Sequence, residues 1–294
     1  MQATLFGEGQ LRPARAYRSP PQLLKWVGNK HRFAYAIASQ FPDNIRTYFE
    51  PFLGSGAVLG TLAPQSALAS DSFPPLIEIW RALKETPDLL KQWYGETWVD
   101  FMAGDKVEQY ELVKARYNAS PNGADLLFLS RSCYGGVVRF RKADGYMSTP
   151  CGAHNPITPD SFAKRVDEWH RRTAHTTFER MEYHEAMDLA GPGDVVYCDP
   201  PYSHSQAILY GAQSFSISRL LASIEHCKQR GAYVILSIDG TKKSGNVICD
   251  VPVPDGLFER EIFVDCGRSM LKRFKMNGQS LEGEVVADRL LLTY

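Results

Sequence analysis

The sequence predicts an α/β fold built on a mostly parallel sheet, and three observations support this prediction. Short apolar runs, such as VVYC at 195–198 and AYVILSI at 232–238, are typical of strands that are covered on both faces. Segments with helical spacing of apolar residues separate these runs. Two further runs near the C-terminus, 258–266 and 285–294, have the pattern of a closing antiparallel pair.

The first part of the chain contains half of this sheet. Apolar residues at helical spacing predict a helix within 31–40, and aromatic and β-branched residues predict a strand at 45–52. The segment LGSGAVLGTLA (53–63) then turns through glycines into a helix. A second strand, SALASD (66–71), ends in an acid.

The alternation stops between residues 75 and 172. Residues 75–125 have a helical pattern, and 160–173 predict another helix. Between them, GVVRF and GYMST flank the tetrapeptide KADG at 142–145, which is a hairpin signal. This segment therefore looks inserted between the two halves of the sheet.

The second half of the sheet follows the inserted segment. Strands are predicted at 176–183, 195–198 and 232–238, and a helix that ends at a glycine is predicted at 216–231. The order of strand, strand, helix, strand resumes the α/β alternation.

The composition narrows the functional classes. The chain has 294 residues, with 33 Lys and Arg against 33 Asp and Glu, so a polyanionic partner must meet a local basic patch. The six cysteines form no CxxC pair, which favours reduced thiols in a cytosol over disulfides or a zinc site. No apolar run approaches the roughly 18 residues of a membrane span, and the N-terminus lacks the apolar centre of a signal peptide.

The stretch VVYCDPPYSH (195–204) carries the first functional signal. Pro200 and Pro201 cannot donate to a sheet ladder, so the strand must end there. A carboxylate, Asp199, and an aromatic ring, Tyr202, are then held at a stiff strand end. On this stretch alone, a plain proline turn is an equally good interpretation.

A glycine loop gives the second signal. Gly54 and Gly56 lie between a predicted strand and helix, where glycines let the backbone approach a ligand closely. Asp71 closes the next strand and could accept hydrogen bonds from ribose hydroxyls. The ligand could be a dinucleotide or S-adenosylmethionine, and glycine turns of this kind also occur for packing reasons alone.

Four segments, taken in order, resemble the D12 class of DNA adenine-N6 methyltransferases, the family of the Dam methylase. They are LLKWVGNK (23–30), FEPFLGSGAV (49–58), VVYCDPPY (195–202) and EVVADRLLLTY (284–294). Three departures are visible, and in one of them Ile238 follows Ser237 where the family often has a Ser-Asn pair. Asn29 replaces a glycine of the first box, and Tyr134-Gly135-Gly136 stands where the family usually has Phe-Asn-Gly.

The resemblance implies a Rossmann-like S-adenosylmethionine-dependent methyltransferase sheet with an inserted helical and β-hairpin target-recognition domain. Residues 1–74 and 173–294 would form the catalytic domain, and residues 75–172 would bind DNA. The implied reaction is methyl transfer to N6 of a flipped-out adenine in double-stranded DNA, without a metal. Cytosine-N4 methylation, a non-catalytic DNA-recognition module and, more remotely, an NAD-dependent dehydrogenase stay open as alternatives. A cytoplasmic protein of a bacterium or phage is expected, with no membrane partner. A cognate restriction endonuclease is a candidate partner, and the oligomeric state is open.

The resemblance also implies roles for individual residues. Asp199 and the Pro200 carbonyl would accept the two hydrogen bonds of the target amine, and Tyr202 would stack on the base. The predicted donor site comprises Trp26, Lys30, Phe52, Gly54, Gly56, Asp71 and Asp199. Tyr183, at the end of the preceding predicted strand, is either a further wall of the base pocket or plain sheet packing.

DNA contact is predicted for basic residues of the inserted segment and of a C-terminal stretch. Arginines on a two-stranded ribbon can read guanine in the major groove or contact phosphates. The hairpin candidates are Arg131, Tyr134, Arg139, Arg141 and Lys142, and the stretch GRSMLKRFK (267–275) adds Arg268 and Lys272. Any one of these charges could instead be an ordinary solvated side chain, and the recognised sequence is left open.

Overall fold

The structure is a computed structural model that describes residues 19–141, 143–201, 215–242, 247–248, 253–268 and 285–294. Three predicted site residues, Lys142, Tyr202 and Lys272, lie outside these ranges, as does the side chain of Arg268. Within the described residues, no helix combines the length and apolar character needed to cross a membrane.

The described part of the chain contains one eight-stranded sheet, which confirms the predicted α/β fold. The strand order is β3-β2-β1-β4-β5-β8-β7, and β6 pairs with β5 beside this path. The first five strands in this order are mutually parallel, and β8 is antiparallel to both β5 and β7. The predicted closing antiparallel pair is thus confirmed. The strands are β1 (Tyr48–Glu50), β2 (Ala67–Asp71), β3 (Thr176–Arg180), β4 (Val195–Cys198), β5 (Tyr233–Lys242), β6 (Val247–Ile248), β7 (Arg260–Arg268) and β8 (Val285–Leu292).

Helices cover both faces of the sheet. They are α1 (Ala34–Ala38), α2 (Ala57–Leu62), α3 (Pro74–Glu85), α4 (Pro87–Ala103), α5 (Lys106–Ala119), α6 (Gly123–Ser132), α7 (Pro159–Arg172), α8 (Tyr183–Asp188) and α9 (Ile217–Gln229). Strand β4 shows why its sequence is continuously apolar: Val195 and Tyr197 enter one hydrophobic core, and Val196 and Cys198 enter the other.

The strand order reverses between β1 and β4, which lie side by side and parallel. Ligands of open α/β sheets bind in the crevice outside the carboxyl ends of strands at such a switch point. The glycine loop follows β1, and Asp199 follows β4. The fold therefore brings the two strongest sequence signals to one crevice.

Helix α3 shows that the inserted segment and the sheet share one core. Trp80 stacks on Phe178 of β3, with ring centroids 5.5 Å apart, and the Arg81 Nε donates to the Phe178 carbonyl at 3.0 Å. The same hydrophobic core includes residues of the sheet and of α3 to α7. A domain boundary at residue 75 stays a prediction, and it assigns to the insert a helix that packs directly on the sheet.

The predicted hairpin is confirmed between residues 139 and 148. The Arg141 N–H donates to the Tyr146 carbonyl, and the Ser148 N–H donates to the Arg139 carbonyl, both at 2.9 Å. Gly145, at the tip, has a φ of +69°.

Both glycines of the 3-10 turn that precedes the hairpin, Tyr134–Gly136, also have positive φ. Asparagine tolerates this left-handed conformation better than most residues, so Gly135 can replace it without changing the turn.

Arg131, predicted to lie on or beside the hairpin strands, does not lie on them. It belongs to α6, where it is 6% exposed, and its Nη1 donates to the carbonyls of Gln22 and Leu23 at 3.0 and 2.8 Å. Burial, with the neighbouring positive charge of Arg165, lowers the pKa of Arg131 to about 10. Arg165 donates to the same Gln22 carbonyl at 2.6 Å. The two arginines thus hold the start of the segment LLKWVGNK (23–30) in place.

Candidate active site

A cavity of about 460 Å³ opens at the carboxyl ends of β1 and β4. Seven residues of the predicted donor and base sites line it: Trp26, Lys30, Phe52, Gly54, Asp71, Tyr183 and Asp199. Pro200 is buried and does not line the cavity, whereas Pro201 does. Predictions made far apart in the sequence therefore converge on one cavity.

The glycine loop needs its two glycines for conformation and for space. Gly54 and Gly56 have φ values of +47° and +61°. A Cβ on Gly54 would lie 3.2 Å from Trp26, and one on Gly56 would lie 3.0 Å from Trp80. The Trp80 Nε1 also donates to the Gly54 carbonyl at 3.2 Å. Gly56 shapes the loop as the residue before α2, and Gly54 faces the cavity.

Asp71 closes this loop from the end of β2. Its Oδ2 accepts from the Gly54 N–H at 3.2 Å, and its Oδ1 accepts from the Phe73 N–H at 3.0 Å. Burial raises the pKa of Asp71 to about 6, against the lowering effect of these two hydrogen bonds. Asp71 therefore holds the loop in place at the edge of the cavity.

Lys30 lies beside the strand end that carries Asp199. Its Nζ is 2.9 Å from Asp199 Oδ1 and 3.1 Å from Asp288 Oδ2, and Lys30 is 4% exposed. Asn29 fixes the preceding turn, because its Nδ2 donates to the Trp26 carbonyl at 2.9 Å and its Oδ1 accepts from the His31 N–H at 3.2 Å. The replacement of a family glycine by Asn29 is thus structurally accommodated.

Glu50, at the end of β1, is a cavity residue that sequence reasoning missed. It is 3% exposed, and its Oε2 accepts from the Tyr48 hydroxyl at 2.8 Å and from the Leu59 N–H at 3.0 Å. Burial raises the pKa of Glu50 to about 8, and the charge of Asp199 adds to this effect. The sequence contained one indication of this role, because Glu50 is the single acid in the otherwise apolar and aromatic stretch TYFEPF (47–52).

Aromatic rings form the other walls of the cavity. Phe52 stacks on Tyr183 with centroids 5.1 Å apart, and Phe215 lies edge-on to both rings. Tyr183 begins α8 instead of ending the preceding strand, which corrects that part of its prediction. A second group consists of Trp26, Phe73 and the hairpin residue Phe140, with centroids 6.2 and 5.5 Å apart. The hairpin therefore reaches the cavity directly.

The sequence matches a known family model over most of its length. The model describes the D12 class N6 adenine-specific DNA methyltransferase, and it matches residues 26–260. The chain belongs to this family. The matched D12 span begins at Trp26 of the cavity and ends at the first residue of β7, so β8 and Asp288 lie beyond it.

Individual relatives agree with the D12 assignment. The chain is 29% identical to the retron Ec67 DNA adenine methylase of Escherichia coli over 187 residues, which are 61% of this chain and 63% of that protein. It is 25% identical to the DNA N-6-adenine-methyltransferase of Escherichia phage P1 over 245 residues, 79% of this chain but 31% of the relative. It is 26% identical to the type II methyltransferase M1.LlaDCHI of Lactococcus lactis over 230 residues, 72% of this chain and 79% of that protein. The chain thus spans less than two thirds of the length of the first two relatives.

Three further DNA-contact candidates of this D12 chain, Tyr134, Arg139 and Arg141, lie on or beside the hairpin. Arg141 is exposed and pairs with Asp144, with Nη2 and Oδ2 2.6 Å apart, and its guanidinium lies 4.2 Å from the centroid of the Tyr146 ring. Arg139 is half-buried and Tyr134 is exposed. Among the described residues, no group of three or more His, Cys, Asp or Glu side chains could hold a metal ion.

Replacing Glu50 by glutamine is expected to change how stability depends on pH. The pKa of Glu50 is about 8 in the folded chain, against 4.5 as its ordinary value. The folded chain therefore keeps a proton that the unfolded chain releases. The stabilisation that this bound proton gives to the folded chain is complete below pH 4.5. It decreases as the pH rises to about 8, by at most about 1.4 kcal/mol of unfolding free energy per pH unit.

Urea unfolding of wild type and Glu50→Gln at pH 5, 6.5 and 8 measures this effect. The wild type should lose stability relative to the variant as the pH rises. Glu108→Gln, at an exposed position on α5, controls for removal of a surface charge. A difference between wild type and Glu50→Gln that stays constant over the three pH values would contradict the role assigned to Glu50.

Proposed function

We propose that the protein transfers a methyl group from S-adenosylmethionine to N6 of a flipped-out adenine in double-stranded DNA. The observation that carries this proposal is the position of Asp199. In a chain of the D12 family, its carboxylate stands at the stiff end of β4, on a cavity that also contains the glycine loop.

The cavity fits the methyl donor. Its volume of about 460 Å³ is in the range of sites that hold a nucleoside-sized ligand. Gly54 and Asp71 offer a close backbone approach and carboxylate oxygens, and Trp26 and Phe52 offer flat apolar walls. When bound, S-adenosylmethionine supplies a methyl group activated by its sulfonium. We assign Trp26, Phe52, Gly54 and Asp71 to this donor site, and we assign Lys30, whose ammonium contacts Asp199, to the support of that carboxylate.

Tyr183 belongs to the donor half of the cavity in this proposal. It stacks on Phe52, which follows β1, and it adjoins Glu182, whose charge acts on Asp71. The base-stacking role is left to Tyr202, which lies outside the described residues.

The chemistry that we assign to Asp199 follows from its charge and position. The lone pair of an adenine N6 is delocalised into the ring, so the amine is a poor nucleophile. A carboxylate that accepts one N6 hydrogen bond, together with the Pro200 carbonyl that accepts the other, favours a pyramidal nitrogen. The carboxylate also stabilises the positive charge that grows on this nitrogen during transfer. Lys30 supports this role, because its Nζ lies 2.9 Å from Asp199 Oδ1 and restrains the carboxylate.

The hairpin is proposed as the target-recognition element. A two-stranded ribbon fits the major groove of DNA, and its arginines can bind guanine or phosphate. Arg139, Arg141 and Tyr134 keep this assignment, together with Lys142, Arg268 and Lys272. Arg131 does not, because its guanidinium is buried against backbone carbonyls. Extrusion of the target base from the duplex costs a few kcal/mol.

The cell context is a proposal as well. A cytoplasmic location suits an enzyme that acts on bacterial or phage DNA. One relative is named a type II methyltransferase, so a cognate restriction endonuclease stays a candidate partner.

Nucleoside analysis of methylated DNA tests the proposed reaction. Unmethylated DNA is incubated with the protein and with S-adenosylmethionine labelled in its methyl group, and is then digested to nucleosides. We expect the label in N6-methyladenine. DNA already treated to completion with the same protein is the control and should take up no further label. Label in N4-methylcytosine would contradict the choice of base, and no label in any nucleoside would favour a non-catalytic DNA-recognition module.

A further inference from the structure

A buried ammonium joins two carboxylates at the edge of the cavity. Lys30 Nζ lies 2.9 Å from Asp199 Oδ1 and 3.1 Å from Asp288 Oδ2. The exposed fractions of the three side chains are 5%, 19% and 13% respectively. Because removing charges from water is costly, an arrangement of this kind persists when each charge keeps an opposite partner.

The three charges come from distant parts of the chain. Lys30 precedes α1, Asp199 follows β4, and Asp288 lies on β8. Strand β5 lies between β4 and β8, pairing Leu236 with Cys198 on one side and Asp239 with Asp288 on the other. The order of the strands therefore places Asp288 near Asp199, although 89 positions separate them in the sequence.

Two carboxylates restrain this lysine better than one. A lysine side chain has four rotatable carbon–carbon bonds, and its ammonium is a compact charge. The Lys30 Nζ also donates to the Gly28 carbonyl at 3.3 Å, and each carboxylate further narrows the positions that the ammonium can take. The terminal torsion of an aspartate is also broad, so a contact at one oxygen decides how the carboxylate is turned. Asp288 is carried by a strand that is paired on both sides, and it supplies the rigid end of this chain of contacts.

We propose that Asp288 is a positioning residue for the methyl-transfer reaction. Its carboxylate anchors the Lys30 ammonium, which in turn holds Asp199 in one orientation towards the target amine. This inference rests on the proposed function, because it assigns Asp288 a role in the same reaction.

The charge of Asp288 matters together with its position. When Asp288 is replaced by asparagine, Lys30 keeps Asp199 as its carboxylate partner of the pair. The whole positive charge of the Lys30 ammonium then interacts with Asp199. The Asp199 carboxylate therefore becomes a weaker hydrogen-bond acceptor for the target amine. Glu50 and Tyr197 also interact electrostatically with Asp199, and replacing Asp288 leaves both of these residues in place. The loss should therefore appear in the transfer step and not in binding of the donor.

Single-turnover kinetics of Asp288→Asn test the proposal. The rate constant is measured with both DNA and S-adenosylmethionine at saturation, and the donor dissociation constant is measured separately by calorimetry. We expect the rate constant to fall by about 10- to 100-fold, as for a small misplacement of a reacting group. The donor dissociation constant should stay within about threefold of wild type.

Two further variants separate positioning from general destabilisation. Asp194→Asn removes another buried carboxylate, which pairs with Arg46 at the opposite end of β4, and it should leave the saturated rate within about twofold of wild type. Asp288→Glu keeps the charge and should restore a rate between those of wild type and Asp288→Asn. If Asp288→Asn does not fold, the saturated rate constant of Asp288→Glu tests the proposal instead, and a rate equal to that of wild type would contradict it.

The outcomes distinguish this inference from the function on which it rests. A wild-type protein that does not methylate DNA would overturn the proposed function itself. If the wild type is active, a saturated rate of Asp288→Asn within about twofold of wild type would overturn the positioning role alone. The positioning role would also be overturned if Asp194→Asn lost as much rate as Asp288→Asn. The same conclusion would follow if saturating S-adenosylmethionine restored the rate of Asp288→Asn.

Discussion

Replacement of Asp199 by alanine is expected to reduce methyl transfer by about a thousandfold or more, with little change in the fold. The variant removes the carboxylate proposed to accept the amine hydrogen bond and to stabilise the charge on nitrogen. It does not leave the buried Lys30 without a carboxylate, because Asp288 lies 3.1 Å from the same ammonium. The donor cavity should therefore still form.

Two measurements check this expectation. Single-turnover methylation reports the transfer step, and calorimetric titration with S-adenosylmethionine reports the donor site. Asp194→Asn, at the amino end of the same strand, is the matched control and should retain transfer. An Asp199→Ala variant that methylates DNA at the wild-type rate would show that the role of Asp199 has been assigned wrongly.

Replacement of Lys30 by methionine is expected to lower the free energy of unfolding by about 3 kcal/mol or more. The two mostly buried carboxylates of Asp199 and Asp288 would lose the ammonium that they share. Transfer should fall as well, because Asp199 then loses the contact that orients it.

Lys91 provides a matched control for this variant. Its Nζ also bridges two carboxylates, at 2.9 Å from Asp88 and 2.7 Å from Asp167, but these aspartates are 92% and 65% exposed. Lys91→Met should therefore cost about 1 kcal/mol or less. Urea unfolding of wild type and both variants under one set of conditions makes the comparison. Equal losses for Lys30→Met and Lys91→Met would show that the Lys30 network contributes no more than a surface ion pair.

The sequence predicted the features that depend on local chemistry. The prolines after Cys198 end β4 and leave Asp199 at the strand end, as their missing N–H requires. The KADG signal gave the hairpin, whose tip glycine has a positive φ. The glycines of the donor loop have the left-handed conformation that only glycine adopts at little cost.

The local sequence pattern gave wrong positions for residues whose surroundings are decided by burial. Arg131 and Arg139 carry the same charge a few positions apart, yet Arg131 is the penultimate residue of α6 and is buried, whereas Arg139 lies on the hairpin. Tyr183 follows a short break after β3 and begins a helix, which the run TTFERMEY did not reveal. Such boundaries are decided by packing against other segments.

By itself, the sequence determined the α/β class, the strand end that carries Asp199, the glycine loop and the resemblance to the D12 family. Only the tertiary structure decided that Glu50 and Phe140 line the cavity, and that Lys30 joins Asp199 to Asp288. The physical reason is that these contacts depend on strand order and on burial. Both are properties of segments far apart in the chain, and the residues next to each side chain do not encode them.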